Sequence, residues 1–492
     1  MGRVLTNNFS LQYSIEETLG VLFASPTWKL LEPNSINTFG ATITTVARSP
    51  ISKARQRRKG TVTDLDSAVE FEADLTLEHF IDFIEGFCFA SFTSIEVAYP
   101  TAVTTSAYTV PAMSAALSQY TLVYARGFTN SANNGLKVVD TGGTTTSIPV
   151  TGGGMTAETP SATQNATVEV CGYRFTSGDL EVNADGNLIT TTKDFTELGL
   201  TAGQAIWVGG EATANQFATA ANIGFARIVS VAANLLTIDK TSQTFTVDDG
   251  TGKTVDLYFG RFVRNLSVDD GDYLERSFQF EGSYPNLATA GATAYEYAKG
   301  NFCNTVSFEL PLTNKATITF GFTGTDTDSP STTRATNGAN ALLPVQTGAF
   351  NTSADIARLR ITDVDESGLS TDFKSLTFTI NNNVGPEKVL GQLGAKFMNT
   401  GNFEIDIEAQ LLFTEADVVA AIRENRRVTM DFSIKNDDGA ILVDIPSMTL
   451  GGGDKEYPVN ESILINTTAQ AYGDTTLGTS VGVTVFPFVP TV

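Results

Sequence analysis

Residues 69–75 read Val-Glu-Phe-Glu-Ala-Asp-Leu, and residues 405–411 read Ile-Asp-Ile-Glu-Ala-Gln-Leu, 336 positions later and without a gap. Alternating apolar and polar side chains mark a β-strand with one buried face. A one-residue slip would exchange the buried and exposed faces, so a shared register implies two copies of one environment. The segments after the two strands are also alike. Thr76–Gly86 reads as a short amphipathic helix, with Thr76 as cap, Leu77, Phe80, Ile81 and Ile84 as apolar stripe, and Gly86 as stop. In Thr414–Glu424, Thr414 caps, Glu415 and Asp417 fill the first turn, and Val418, Val419 and Ile422 face inward. Pro50 and Pro386 have the same spacing, each just after an alternating run (Ala41–Val46 and Leu376–Ile380). Two large modules of like design are therefore expected.

The same alternation recurs in Val306–Leu312, Leu376–Ile380 and Met430–Ile434, which predicts antiparallel sheets packed on one side only. Pro311 predicts an edge strand. A second repeat lies between the two ends. Phe128-Thr-Asn-Ser-Ala-Asn-Asn-Gly135 and Phe217-Ala-Thr-Ala-Ala-Asn-Ile-Gly224 share Phe, Ala, Asn and Gly at equal offsets, and Ala166–Val170 is answered by Lys253–Leu257. The expected division is a first large module in two parts, 1–104 and 264–325, interrupted by small β modules at 105–175 and 176–263. A linker or arm at 326–369 leads to the second large module, 370–492.

Composition excludes several functions. The chain carries 54 acids against 31 bases, a net charge of −23, so most of its surface repels nucleic acid. Its one histidine, His79, lies beside a helical apolar stripe and is read as structural, which removes most histidine-dependent hydrolase and zinc arrangements. Cys88, Cys171 and Cys303 are too few and too scattered for a disulfide framework or metal cluster, and are read as buried thiols. No apolar run reaches 18 residues, so no membrane insertion is expected, and MGRVLTNNFS lacks the apolar run of an export signal.

Two strings imitate ligand sites. Gly250-Thr-Gly-Lys-Thr254 resembles the end of a phosphate-binding loop, but Val247 stands where its first glycine belongs and a strand pattern comes next, so a hairpin turn is expected. Asp363–Gly368 begins like a calcium loop, but Lys374 replaces the bidentate glutamate. No cofactor or metal is expected, and no nucleophile can be matched to a base, so no enzyme is read. One run stands out: Arg48, Lys53, Arg55, Arg57, Arg58 and Lys59 place six of the 31 basic residues in twelve positions. With no aromatics interleaved it lacks a stacking surface for single strands. A solvated loop, a contact with an acidic surface of another subunit and a nucleic-acid site are its three readings.

The segments Ser375–Asn383, Val389–Gly391, Gly401–Leu411, Asp438-Gly439 and Val443–Pro446 resemble the tail-tube proteins of long, non-contractile-tailed bacteriophages (siphophages). The resemblance is good over about 375–485, weaker over 1–100 and 264–325, and rests on segment order. It implies a mainly β fold of two β-sandwich or barrel-type tail-tube modules, each with a short flanking helix; the two small inserted β modules at 105–263 depart from the smaller members of the family and read as decorating insertions. It further implies a structural virion protein, made in the host bacterial cytoplasm, that forms stacked rings around a tape-measure protein, meets tail-end proteins, and lets DNA through without specific binding. Two modules per chain favour a trimer with pseudo-sixfold symmetry over a hexamer, and the inserted pair is expected outside. Glu70, Glu72, Asp406 and Glu408 are expected to face either the lumen or a neighbour's basic residues, and the Lys53–Lys59 loop to form an inter-ring or inter-subunit contact. A β-rich adhesin or surface-layer protein is the alternative, and a glycan depolymerase a third.

Overall fold

The structure is a computed structural model describing all residues except 1–3, 52, 54, 78–80, 162–165, 288–290, 336–346, 364–367, 371 and 491–492. Two series of elements succeed one another. The first is β1 (Ser10–Ile15), β2 (Lys29–Leu31), β3 (Ser35–Arg48), β4 (Arg58–Asp74), α1 (Ile81–Cys88) and then, after residues 89–276, β5 (Ser277–Pro285), β6 (Thr293–Pro311) and β7 (Thr317–Gly324). The second is β8 (Ile356–Asp363), β9 (Gly368–Ser370), β10 (Phe373–Asn381), β11 (Glu404–Leu412), α2 (Asp417–Arg423), β12 (Arg427–Asn436), β13 (Gly439–Glu456) and β14 (Leu464–Ala471), with β15 (Gly482–Phe486) after it.

Their pairings coincide. In the first series β2–β1–β5–β6 and β3–β4–β7–β6 are hydrogen-bonded neighbours. In the second, β9–β8–β12–β13 and β10–β11–β14–β13 repeat the order. The long strands β6 and β13 each end both orders of their series. The described helical residues 81–87 of α1 have helical counterparts at the heptapeptide spacing, 417–423 of α2.

One buried apolar cluster runs through both series. In the first, Phe83 of α1 packs against Phe71, Phe278, Phe320 and Phe322. The series meet where β6 pairs with β10, from Thr305 opposite Asn381 to Pro311 opposite Ser375. There the rings of Phe308 and Phe378 stack at 4.2 Å and 7°.

Several local expectations fail for identifiable reasons. β6 is central, between β7 and β10, and Pro311 is tolerated as its last residue. Gly86 lies inside α1: a Cβ there would stand 2.7 Å from Cys303 Sγ and 3.0 Å from Phe278, so the glycine permits close packing. α2 starts at Asp417 behind Ala416, and Thr414 does not cap it. Gly451–Gly453, a glycine run that reads as a flexible connection in the sequence, is instead part of β13, where a Cβ at Gly452 would come within 2.9 Å of the Asn466 carbonyl. β8 falls inside the expected linker. The alternation Met430–Ile434 does not leave one face free, because Thr429, Asp431 and Ser433 are buried as well. His79, Phe80 and most of the calcium-like loop lie outside the described residues.

Residues 89–276 occupy the position that residues 424–426 fill in the second series. Strands within them, from Val97–Ala98 to Val255–Tyr258, build two separate sheets, one large and one of three short strands (Ala102–Val103, Ala107–Thr109 and Ser147–Pro149), over two further apolar clusters. Asn133 and Asn222, both fully buried, make the same two bonds: Nδ2 donates to the carbonyl of Thr156 or Thr246, and Oδ1 accepts from that residue's N–H, all at 2.8–2.9 Å. Gly250 and Gly252 have positive φ and shape a turn before Val255–Tyr258.

Candidate assembly surfaces

The strand order β3–β4–β7–β6–β10–β11–β14–β13 forms one continuous wall. Val69, Phe71, Ile405 and Ile407 point from it into the core, so strand alternation sends Glu70, Glu72, Asp406 and Glu408 out of its other face. The four acids thus share one surface. Glu70 lies between Thr38 and Gly321, Glu72 between Ser35 and Thr319, Asp406 between Thr379 and Gln470, and Glu408 between Thr377 and Thr468. Asn37 Nδ2 donates to Glu70 at 2.8 Å and Gln470 Nε2 to Asp406 at 3.3 Å. Glu309 adds another exposed acid.

The basic residues sit elsewhere. β4 pairs with β7 only over Ser67–Asp74, whereas its pairing with β3 runs out to Arg48 opposite Arg58. The outer half of this hairpin is therefore a two-stranded arm. Ile43, Val46 and Val62 on it are 55%, 56% and 45% exposed. Its tip displays Arg48, Lys53, Arg55, Arg57, Arg58 and Lys59, all exposed and, among the described residues, without an ion-pair partner. Lys388, from the loop between β10 and β11, braces the arm's base through Asp64 and Asp66 at 2.5 and 2.6 Å. The sequence brought these cations together; it did not show that they ride on an arm.

Two strand edges are open. Among the described residues β3 pairs only with β4, and the end of β13 beyond Leu450 only with β14. Unpaired edges invite another strand.

A fourth feature went unread in the sequence. Asp431 and Asp444 face each other across β12 and β13, both buried. Like charges so placed repel, and four cations surround them. Arg358 and Arg360 of β8 bind Asp431, the latter at 2.9 Å. Arg227 and Lys240 of the insertion bind Asp444 at 2.8 and 2.5 Å, and Arg227 also binds Asp239. Burial alone would raise the Asp444 carboxyl, but Arg227 and Lys240 outweigh it and hold it below the usual range. Burial raises Asp431, against the pull of Lys240 and Arg360. Beside this cluster Phe225 and Ala205 of the insertion pack on Ala440, Leu442 and Phe486, and Ala205 N–H donates to Thr484. The alternation of Arg358 and Arg360 with apolar residues was the available signal.

The three cysteines are free and buried, and burial pushes the Cys88 thiol up to about 12. Among the described residues no cluster of His, Cys, Asp and Glu could hold a metal, and no helix is long and apolar enough to cross a membrane. A search of curated proteins finds no match. The sequence profile of the phage tail tube protein family matches residues 236–485, just over half of the chain.

Proposed function

The chain belongs to the phage tail tube protein family, and from that premise we propose that three copies close into one ring of a siphophage tail tube. The observation that carries this reading is the β6–β10 pairing. It joins two sets of strands with the same internal order, as neighbouring modules of a ring would be joined. The open edges, β3 in the first set and the end of β13 in the second, are the counterparts of β10 and β6. Repeating that junction from chain to chain closes the wall and removes the edges. Two modules per chain then give a trimer with pseudo-sixfold symmetry.

In this reading the acidic face carrying Glu70, Glu72, Asp406 and Glu408 lines the channel and repels the phosphates of passing DNA. The basic arm reaches an adjacent ring. A two-stranded ribbon exposed on both faces is marginally stable alone, and its cations suit an acidic partner surface. Residues 105–175 and 176–263, read as a tandem pair, decorate the outside, with 1–104 plus 264–325 and 370–492 as the tube modules. Tape-measure and tail-end proteins are the other partners, and the role is structural rather than catalytic.

Electron microscopy of the purified protein is the test. Hollow tubes with three chains per ring are expected. Dispersed particles without rings or tubes would overturn the reading, and six chains per ring would replace the trimer with a hexamer using one half of each chain at the channel.

A further inference from the structure

The internal junction also specifies the pairing between chains, residue by residue. Resting on the ring reading above, we propose that β13 of one chain pairs antiparallel with β3 of the next, with Leu450 opposite Phe39, Gly451 opposite Thr38 and Asp454 opposite Ser35. The observed registers alone lead to these pairs. Phe71 and Ile407 are equivalent by the duplicated heptapeptide. Phe71 pairs with Phe320 and Ile407 with Ala469, and these pair in turn with Val306 and Leu450. Leu450 is therefore the counterpart of Val306, and Gly451 that of Ser307. On the other side, Val69 pairs with Phe39 and Ile405 with Ile380, making Phe39 the counterpart of Ile380 and Thr38 that of Thr379. Within the chain Val306 lies opposite Ile380 and Ser307 opposite Thr379. Substituting counterparts yields the proposed pairs.

Bulges could spoil such a transfer, because β3 carries an extra residue at Asn37 and β13 one at Gly453. They flank the same position, one on each strand, and cancel. Ser35 is three residues before Thr38 and Asp454 three after Gly451, so the register below the bulges matches that above them.

The proposed junction is poorer in side-chain contact than the internal one. Where Phe308 stacks on Phe378, the counterparts are Gly452 and Ile36. Where the hydroxyls of Ser307 and Thr379 meet at 3.0 Å, the counterparts are Gly451 and Thr38. Backbone pairing must carry the contact between chains, and the small residues let the strands approach.

The test is disulfide trapping in assembled tubes. Ser35 and Asp454 are exposed in the single chain and the native cysteines are buried, so background is low. The doubly substituted S35C/D454C protein, assembled reduced and then oxidised, should give chain-to-chain disulfides. S35C/E456C, slipped by two residues on the same face, should not, since diagonal neighbours are about 7–8 Å apart and a disulfide needs Cβ atoms about 3.5–4.5 Å apart. Backbone amide exchange on the unsubstituted protein supplies a measurement independent of the variants: amides within 34–40 and 450–456 should slow on assembly. Tubes that form with the slipped pair cross-linked, or with either segment still exchanging freely, overturn the register and leave the tube reading intact. Unsubstituted protein that forms no rings or tubes overturns both.

Discussion

Replacing Asp444 by alanine removes the carboxylate that Lys240 and Arg227 share. All three are enclosed: their side chains are 5%, 5% and 12% exposed. Taking one partner from a buried ion pair costs about 3–5 kcal/mol, because the remaining charge stays desolvated without its counter-ion. Arg227 keeps Asp239 at 2.5 Å and Lys240 keeps the attraction of Asp431, so the loss should lie toward the lower end of that range. The site binds the insertion to β12 and β13, which makes the consequence local as well as global. Urea unfolding should report a loss of about 3 kcal/mol or more, and limited proteolysis should cut faster within residues 97–258. Trp207, which meets Phe225 edge to face and lies under Lys435, offers a fluorescence report on the same contact. Replacing Lys240 by Met and Asp444 by Leu together removes both charges and should recover much of the loss, since apolar isosteres of buried ion pairs are often neutral or stabilising. A single-variant cost under about 1 kcal/mol would refute the argument, as would a double variant no better than the single one.

Other expectations rest on the same packing. Phe308→Ala opens the stacked seam and should cost about 3–5 kcal/mol in urea unfolding, even before assembly. Gly86→Ala gains about 1 kcal/mol of helix propensity but overpacks Cys303 and Phe278 by about 1–3 kcal/mol; the net sign in urea unfolding should be destabilising. At Glu158 burial would raise the carboxyl, but N–H donors of Asn130 and Thr129 and the amides of Asn130 and Asn133 bring it down to about 2. Its contribution is complete above the ordinary value near 4.5 and is lost as pH falls through about 2. A carboxyl NMR titration reads the shift directly, and E158Q should remove it. Reversing Arg55, Arg57 and Arg58 to Glu should yield rings that fail to stack, with intact-tube stacking weakened by salt. Glu-to-Lys changes at Glu70 and Glu72 should impair DNA delivery, and an unaffected virion with unaffected tubes would sink the lumen assignment.

Much of the fold was legible because strands announce their faces. Val69, Phe71, Ile405 and Ile407 are buried as their alternation predicts, and the acids between them face out. The helices fall at the predicted spacing since each must cover the same apolar patch. The alternating run Ala41–Val46 misled, because the β3–β4 hairpin is five residues longer than its counterpart: Phe39 and its partner Val69 are 30 positions apart, Ile380 and its partner Ile405 only 25, so the true counterparts of Phe378 and Ile380 are Ile36 and Phe39. Period two also cannot say what covers the second face. Asp431 and Asp444 read as solvent-facing in sequence; the insertion covers Asp444 with Arg227 and Lys240 from more than 200 positions away, and β8 covers Asp431 with Arg358 and Arg360. Gly86 and Gly452 look like stops and flexible joints until the atoms that crowd them are known.

The β6–β10 junction forms within a chain and so belongs to folding rather than to encounter. A tether between partners replaces a diffusional search by an effective concentration in the millimolar range. In the proposed ring, half of the lateral contacts are thereby settled before any two chains meet. Closure then needs three bodies to find each other where separate modules would need six. The richer aromatic contact lies in the tethered half of the seams, and the glycine-bearing half is left for assembly. Wrongly joined chains can part there without unfolding, so errors in a growing tube are corrected at the seam that is least costly to open.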